Sequence, residues 1–258
     1  LMLVQKETII PDERLVPFIE TAIERHKIYC KREAGMPSPW TTDDIFKRYF
    51  FCNVFRQYDK CSKWIITNIL PYERWDLIIL YRFISTMDTF EIIKRNAPLD
   101  DFKKVYAILE EMYNNGMTIF SGCFIRNPMI NGKCVNTYTV PFHVIKEIKE
   151  EGNIVKALSN NKLEIMVKYL KNFSGTAGFM GYEYACDFEY TEYFNPTDKY
   201  TWANMGPGAK RGLSWLMYNR EDHPITESSF LYNIRWIFER MKQRFNEMVP
   251  NEDFSMRE

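Results

Sequence analysis

The stretch KLEIMVKYLKNFSGTAGFMGYEYACDFEY, residues 162–190, decides the reading of the fold. Apolar residues recur at helical spacing over 162–173 and again over 179–190, with Ser174-Gly175-Thr176-Ala177-Gly178 between the two patterns. Glycines between helices permit a tight hairpin, because they take backbone angles that other residues avoid. The N–H groups that open the second helix can then cradle a phosphate. Gly-x-x-Gly between helices is also an ordinary turn, so the pattern is read together with its surroundings.

Outward from this hairpin the chain is mostly helical. Residues 15–33 carry Val16, Ile19, Ile23 and Ile28 at helical period, and Gly35, Pro37 and Pro39 end the run. Thr41-Thr42-Asp43-Asp44 is an N-cap sequence, because short polar side chains accept bonds from the orphan N–H groups of a first turn. The helix it predicts holds Ile45, Tyr49, Phe50, Phe51, Val54 and Phe55, is apolar around much of its circumference, and is expected at the centre of the core. Further helices are predicted over 75–85, 89–95, 101–113, 142–151, 213–218 and 226–248. Residues 118–125 are rich in β-formers, and Asn131-Gly132 stands between them and 135–140, which predicts a β-hairpin or irregular excursion near 118–140. No repeat, low-complexity segment or linker interrupts the pattern. The expectation is a mainly α chain forming a single helical domain over 1–258.

Composition narrows the class. Of 258 residues 46% are apolar and 16% aromatic, which excludes overall disorder, and eleven Gly with twelve Pro are too few for a turn-rich β sandwich. Lys plus Arg and Asp plus Glu balance at 34 each, which speaks against a protein that coats DNA non-specifically but leaves room for a local basic face. The six cysteines form no C-x-x-C pair and no two of the three histidines stand at i, i+4, so no metal site is expected. Scattered among aromatics, the cysteines read as small buried apolar residues with reduced thiols. No apolar run reaches the ~18 residues that crossing a membrane needs, and the expected location is the cytoplasm.

Three segments could carry chemistry. In Asn53-Val54-Phe55-Arg56-Gln57-Tyr58-Asp59, the polar residues Asn53, Arg56 and Asp59 would share a helix face. They read either as a structural ion pair or as a set that binds phosphate or a base, since Arg presents a planar fork of donors. The hairpin Ser174, Gly175, Thr176, Gly178 is the second. The third is Trp202-Ala203-Asn204-Met205-Gly206-Pro207-Gly208-Ala209-Lys210-Arg211-Gly212, where glycines let a ligand approach the backbone and two cations suit phosphate or pyrophosphate. A solvated basic loop between helices would look the same. Neither a Walker A loop nor a Rossmann fingerprint is present, and Gly-x-Ser-x-Gly and His-Glu-x-x-His are absent as well.

Taken in order, Arg48-Tyr49-Phe50-Phe51-Cys52-Asn53-Val54-Phe55-Arg56-Gln57-Tyr58-Asp59, then Gly175 through Asp187, then Trp202-Ala203-Asn204 with Gly206-Pro207-Gly208 and Arg211-Gly212-Leu213, resemble the DNA-glycosylase-like helical family of thymine hypermodification in bacteriophages. Its members include the helical domain of 5-hydroxymethyluracil DNA kinases and the α-glutamyl/putrescinyl thymine pyrophosphorylases, or amino acid:DNA transferases. The resemblance spans about 42–218. It implies a DNA-glycosylase-like helical fold with a helix-hairpin-helix element, and base flipping into a pocket. The implied activity transfers an amine donor, an amino acid or polyamine, onto 5-pyrophosphoryloxymethyluracil in DNA with release of pyrophosphate.

The roles that follow from the resemblance are these. Ser174, Gly175, Thr176 and Gly178 hold the DNA backbone. Lys210 and Arg211, with Gly206, Gly208 and Asn204, receive pyrophosphate, and Arg56 contacts the same phosphates or the base. Asn53 bonds the uracil edge, and Asp187 or Asp59 is the general base. No cofactor is evident, although a divalent metal such as Mg would suit pyrophosphate. The implied partners are DNA, the amine donor and a kinase of the same pathway, with no membrane, in the host cytoplasm if the chain is phage-encoded. Two alternatives stand beside this: a DNA glycosylase using Asp187 or Asp198, and a non-catalytic DNA-binding helical module that partners a 5-hydroxymethyluracil DNA kinase.

Overall fold

A computed structural model describes residues 10–122, 126–250 and 253–256. Among them run the helices α1 (Asp12–Glu33), α2 (Asp44–Arg48), α3 (Lys60–Asn68), α4 (Trp75–Ile84), α5 (Met87–Asn96) and α6 (Phe102–Asn114), then strands β1 (Met129–Ile130) and β2 (Lys133–Cys134). They are followed by α7 (Val140–Glu151), α8 (Ile154–Ser159), α9 (Leu163–Leu170), α10 (Ala177–Phe188), α11 (Pro207–Tyr218) and α12 (Glu227–Met248). The mainly α expectation holds. No helix among the described residues is long and apolar enough to cross a membrane. The chain divides into two compact units, Leu1–Tyr58 with Tyr200–Glu258, and Asp59–Lys199.

In the first unit α1 buries Leu15, Ile19, Ala22, Ile23 and His26, one face at helical spacing, in a core shared with α11 and α12. The centre of that core is aromatic: Phe245 and Phe254 stack at 4.7 Å between ring centroids, and Phe55 meets Phe245 edge-on at 5.8 Å. Thr226 starts α12 as the sequence predicts, its hydroxyl accepting from the Ser229 N–H at 3.2 Å.

The helix expected over 45–55 is not formed. α2 stops at Arg48, Tyr49 is extended (φ −114°, ψ 144°), and no residue of α2 is buried. Only Val54 and Phe55 reach the core, whereas Tyr49 is 65% and Phe50 83% exposed. The reason is local: Tyr, Phe, Cys, Asn and Val all lose side-chain freedom or compete with the backbone in a helix, so a run of them does not extend one.

The place expected for that helix is taken in the second unit by α4, where Asp76 through Ile84 are all buried. It packs against α3, α5, α7 and α10, and α10 lies in turn against α9. The β excursion is smaller than expected and lies closer to the turn. β1 and β2 pair antiparallel directly around Asn131 and Gly132, whose φ values of +48° and +76° are the left-handed pair a two-residue hairpin requires. Residues 118–122 form no strand, 123–125 lie outside the described residues, and 137–139 are a short 3-10 turn leading into α7. Of the five described cysteines only Cys186 is buried, while Cys30, Cys52 and Cys134 are exposed, so the buried reading holds for one of them.

Candidate functional site

The α9–α10 hairpin is shaped by its glycines. Gly175 has φ +82°, and a Cβ there would stand 2.8 Å from both Ile130 Cδ1 and Val140 Cγ1. Gly181 sits where a Cβ would lie 3.4 Å from Leu170 Cβ, so α10 approaches α9 closely. Neighbouring elements fix the tip from the side. Ser174 Oγ accepts from the Asn131 N–H at 2.7 Å, and the Ser174 N–H donates to Glu147 Oε2 at 3.2 Å. Thr176 is fully buried, so its side chain is unavailable to any ligand. Gly178 is half-buried beside the Lys171 side chain, whose Cε is 3.3 Å from the Cβ position.

Asp187 is buried at 1% exposure. Its carboxylate takes a two-pronged grip from Arg82, through Nε and, at 2.8 Å, through Nη2, which also donates to Ser62 Oγ at 2.9 Å. At 1.5 Å per residue along α10, Asp187 lies roughly 14 Å from Gly178, so hairpin tip and carboxylate do not converge. Asp198 caps α9 from a distance of 35 residues, accepting from Leu163 N at 2.7 Å and Glu164 N at 3.1 Å. Asp59 precedes α3 as its N-cap residue.

The remaining candidates, Asn53, Arg56, Asn204, Gly206, Gly208, Lys210 and Arg211, belong to the first unit. The glycine-rich segment is not a loop throughout: Gly206 is the N-cap of α11 and Pro207 its first residue. Gly206, Gly208 and Gly212 have no positive φ and open space where a Cβ would be. Lys210 and Arg211 are exposed on the first turns of α11, and Arg211 makes an exposed ion pair with Glu221 at 3.4 Å. Asn53 donates through Nδ2 to the Tyr58 carbonyl at 3.0 Å, and Arg32 Nη2 donates to its Oδ1 at 3.4 Å. Arg56 opens a 3-10 turn to Tyr58, so the helix face expected for Asn53, Arg56 and Asp59 does not exist.

Two groups escaped the sequence reading. Arg82 is the lone cation in the apolar run of α4, and a buried charge must have a partner; that rule alone would have flagged it. Arg25, Ile28 and Arg32 stand at i, i+3 and i+7 on α1 and line a surface groove of about 100 Å³ together with Trp40 and the 46–53 segment. Among the described residues no group of three or more His, Cys, Asp or Glu gathers as a metal site would.

Residues 13–256 match the family described as "5-hmdU DNA kinase, helical domain". The chain belongs to that family. All the site segments above fall inside the matched span. One relative is the 5-hmdU DNA kinase of Bacillus phage SP10, 24% identical over 220 residues that cover 75% of this chain and 34% of the relative. The chain thus spans about a third of the length of the curated relative it matches. No solved structure matches it.

Proposed function

We propose that this chain acts in the hypermodification of thymine in DNA, holding DNA that carries 5-hydroxymethyluracil or the phosphorylated base made from it. The observation that carries this is membership of the 5-hmdU DNA kinase helical-domain family over nearly the whole described chain. The phage kinase among its relatives supports the same context. In this reading the fold is DNA-glycosylase-like, and α9–α10 is its helix-hairpin-helix. The DNA backbone meets the outward side of the tip near Gly178 and Lys171, because Thr176 is buried and Gly175 packs inward.

The finer reading is amine transfer. The donor nitrogen forms a bond to the exocyclic methylene of 5-pyrophosphoryloxymethyluracil, the C–O bond breaks, pyrophosphate leaves with the electron pair, and the ammonium proton passes to a base. Lys210 and Arg211, exposed beside glycines that leave the start of α11 bare, receive the pyrophosphate, with Asn204 beside them. Arg56 and Asn53 address the phosphates and the uracil edge. Asp187 is engaged by Arg82 and would have to break a buried ion pair to accept that proton, which counts against it as the base. The same engagement of Asp187, and of Asp198 by α9, counts against glycosylase chemistry. The relative's kinase name favours a second reading, in which the chain presents hydroxymethyluracil DNA to a kinase and does no chemistry itself.

Nucleoside mass spectrometry separates them. DNA carrying 5-pyrophosphoryloxymethyluracil is incubated with the chain and a mixture of amino acids and polyamines, then digested. An amine-adduct nucleoside is the expected product of transfer, and its loss in Arg211→Ala would place pyrophosphate at α11. Free base and abasic DNA would replace transfer with a glycosylase. Unchanged bases on DNA that the chain binds would leave the presenting role.

A further inference from the structure

The aromatic side chains of the 40–51 segment are not core residues, yet the segment is firmly mounted. Lys31 Nζ donates to the Trp40 carbonyl at 2.7 Å at one end, and Arg25 Nε to the Cys52 carbonyl at 3.2 Å at the other. Between them the Thr41 hydroxyl bonds Glu24 at 2.7 Å, and the Trp40 indole N–H donates to the Met36 carbonyl at 2.7 Å. Phe46 and Phe51 meet edge to face at 4.8 Å. On this mount Tyr49 and Phe50 stand 65% and 83% exposed. Apolar rings held in water by a built framework mark a surface that meets something else.

The charge of the groove says what. Its charged lining residues are Arg25 and Arg32, with no carboxylate among them, in a chain whose net charge is zero. Acids nearby are engaged: Glu24 accepts from the Thr41 hydroxyl, Asp43 caps α2 through Ile45 N and Phe46 N, and Asp44 pairs with Lys47 at 3.1 Å. Exposed rings beside guanidinium groups suit a nucleotide, its base stacked on the ring and its phosphate near the cation. Resting on the reading that this chain handles DNA, we infer that the groove between α1 and the 46–53 segment binds an unpaired nucleotide of a DNA strand, stacking its base on Phe50 and Tyr49 beside Arg32.

The test uses a single-stranded oligothymidylate bearing one 2-aminopurine, whose emission changes when the base stacks, and the matching duplex. The wild-type chain is expected to bind the single strand with a change in 2-aminopurine emission. Replacing Phe50→Ala and Tyr49→Ala together, on an exposed surface that leaves the core intact, is expected to weaken single-strand binding by about tenfold or more and abolish the emission change. Duplex affinity should stay within about twofold, because contacts to the phosphates carry it. Arg32→Gln should flatten the salt dependence of single-strand binding. If the wild type binds DNA and the double variant binds and stacks equally well, the groove assignment falls alone, as it would if the groove seated a protein surface. If the wild type binds neither form, the assignment falls together with the DNA reading beneath it.

Discussion

Replacing Asp187 by Asn separates a structural carboxylate from a catalytic one. Asp187 and Arg82 side chains are 1% and 7% exposed, and the guanidinium divides its donors between the carboxylate and Ser62 Oγ. Asn keeps one acceptor oxygen but removes the charge, leaving a buried cation with two neutral acceptors. Breaking a buried pair from one side destabilises by about 3–5 kcal/mol, and the retained oxygen places Asn near the lower figure. Against a total of about 5–15 kcal/mol this is a large fraction. With a urea slope near 2 kcal/mol/M, the unfolding midpoint should fall by about 1.5 M. Arg82→Met with Asp187→Leu should cost much less than the two single changes added, because neither charge is then stranded. Equilibrium urea unfolding followed by far-UV circular dichroism measures all of these. A midpoint for Asp187→Asn within about 0.3 M of wild type would refute the argument. If base modification also vanished in that stable variant, Asp187 would be working at the chemistry instead.

Other perturbations follow from the same structure. Asp198→Ala should lower stability by about 1–2 kcal/mol by uncapping α9, with faster amide exchange at Leu163 and Glu164 as the site-resolved readout. Gly175→Ala meets a left-handed φ and two carbons at 2.8 Å and should destabilise by about 2–5 kcal/mol, whereas Gly208→Ala, with open space around it, should stabilise by about 0.5–1 kcal/mol; thermal melts of the two check the contrast. Burial pushes the Asp76 carboxyl up, but the bonds from Arg74 and Lys149 more than reverse it, so its pKa lies below the ordinary 3.8. The stability it contributes is therefore present above that value and lost as pH falls through the lower folded one. Urea midpoints should drop more steeply below pH 3.8 in the wild type than in Asp76→Asn, and parallel curves would contradict this.

Elements with clean periodicity and caps were legible in the sequence: α1, α4, α6, α7, α10 and α12 stand within a few residues of their predicted places. The misreading at 45–55 came from taking aromatic density for burial, although the same residues are poor helix formers. α3 was missed for the opposite reason. Its Ile and Thr residues disfavour a helix, and tertiary contacts supply the difference: Trp64 stacks on Phe90 at 4.4 Å and its indole N–H donates to Glu91 at 3.0 Å. The start of α11 was hidden by its glycines, though Pro207 at the first position is a start signal. At the site, the family was legible from the order of three segments, whereas the engagement of Asp187 was not, because Arg82 lies 105 residues away and no local spacing encodes that pair.

The cap on α9 has a bearing on the order in which the chain takes shape as it is made. Leu163 and Glu164 are synthesised well before Asp198, the residue that satisfies their N–H groups. At about 5–20 residues per second the interval is roughly 2–7 s. During it α9 can lie against α10 only with an open, fraying start. The hairpin is therefore completed only after Asp198 has been made, when the chain beyond α10 folds back and latches it.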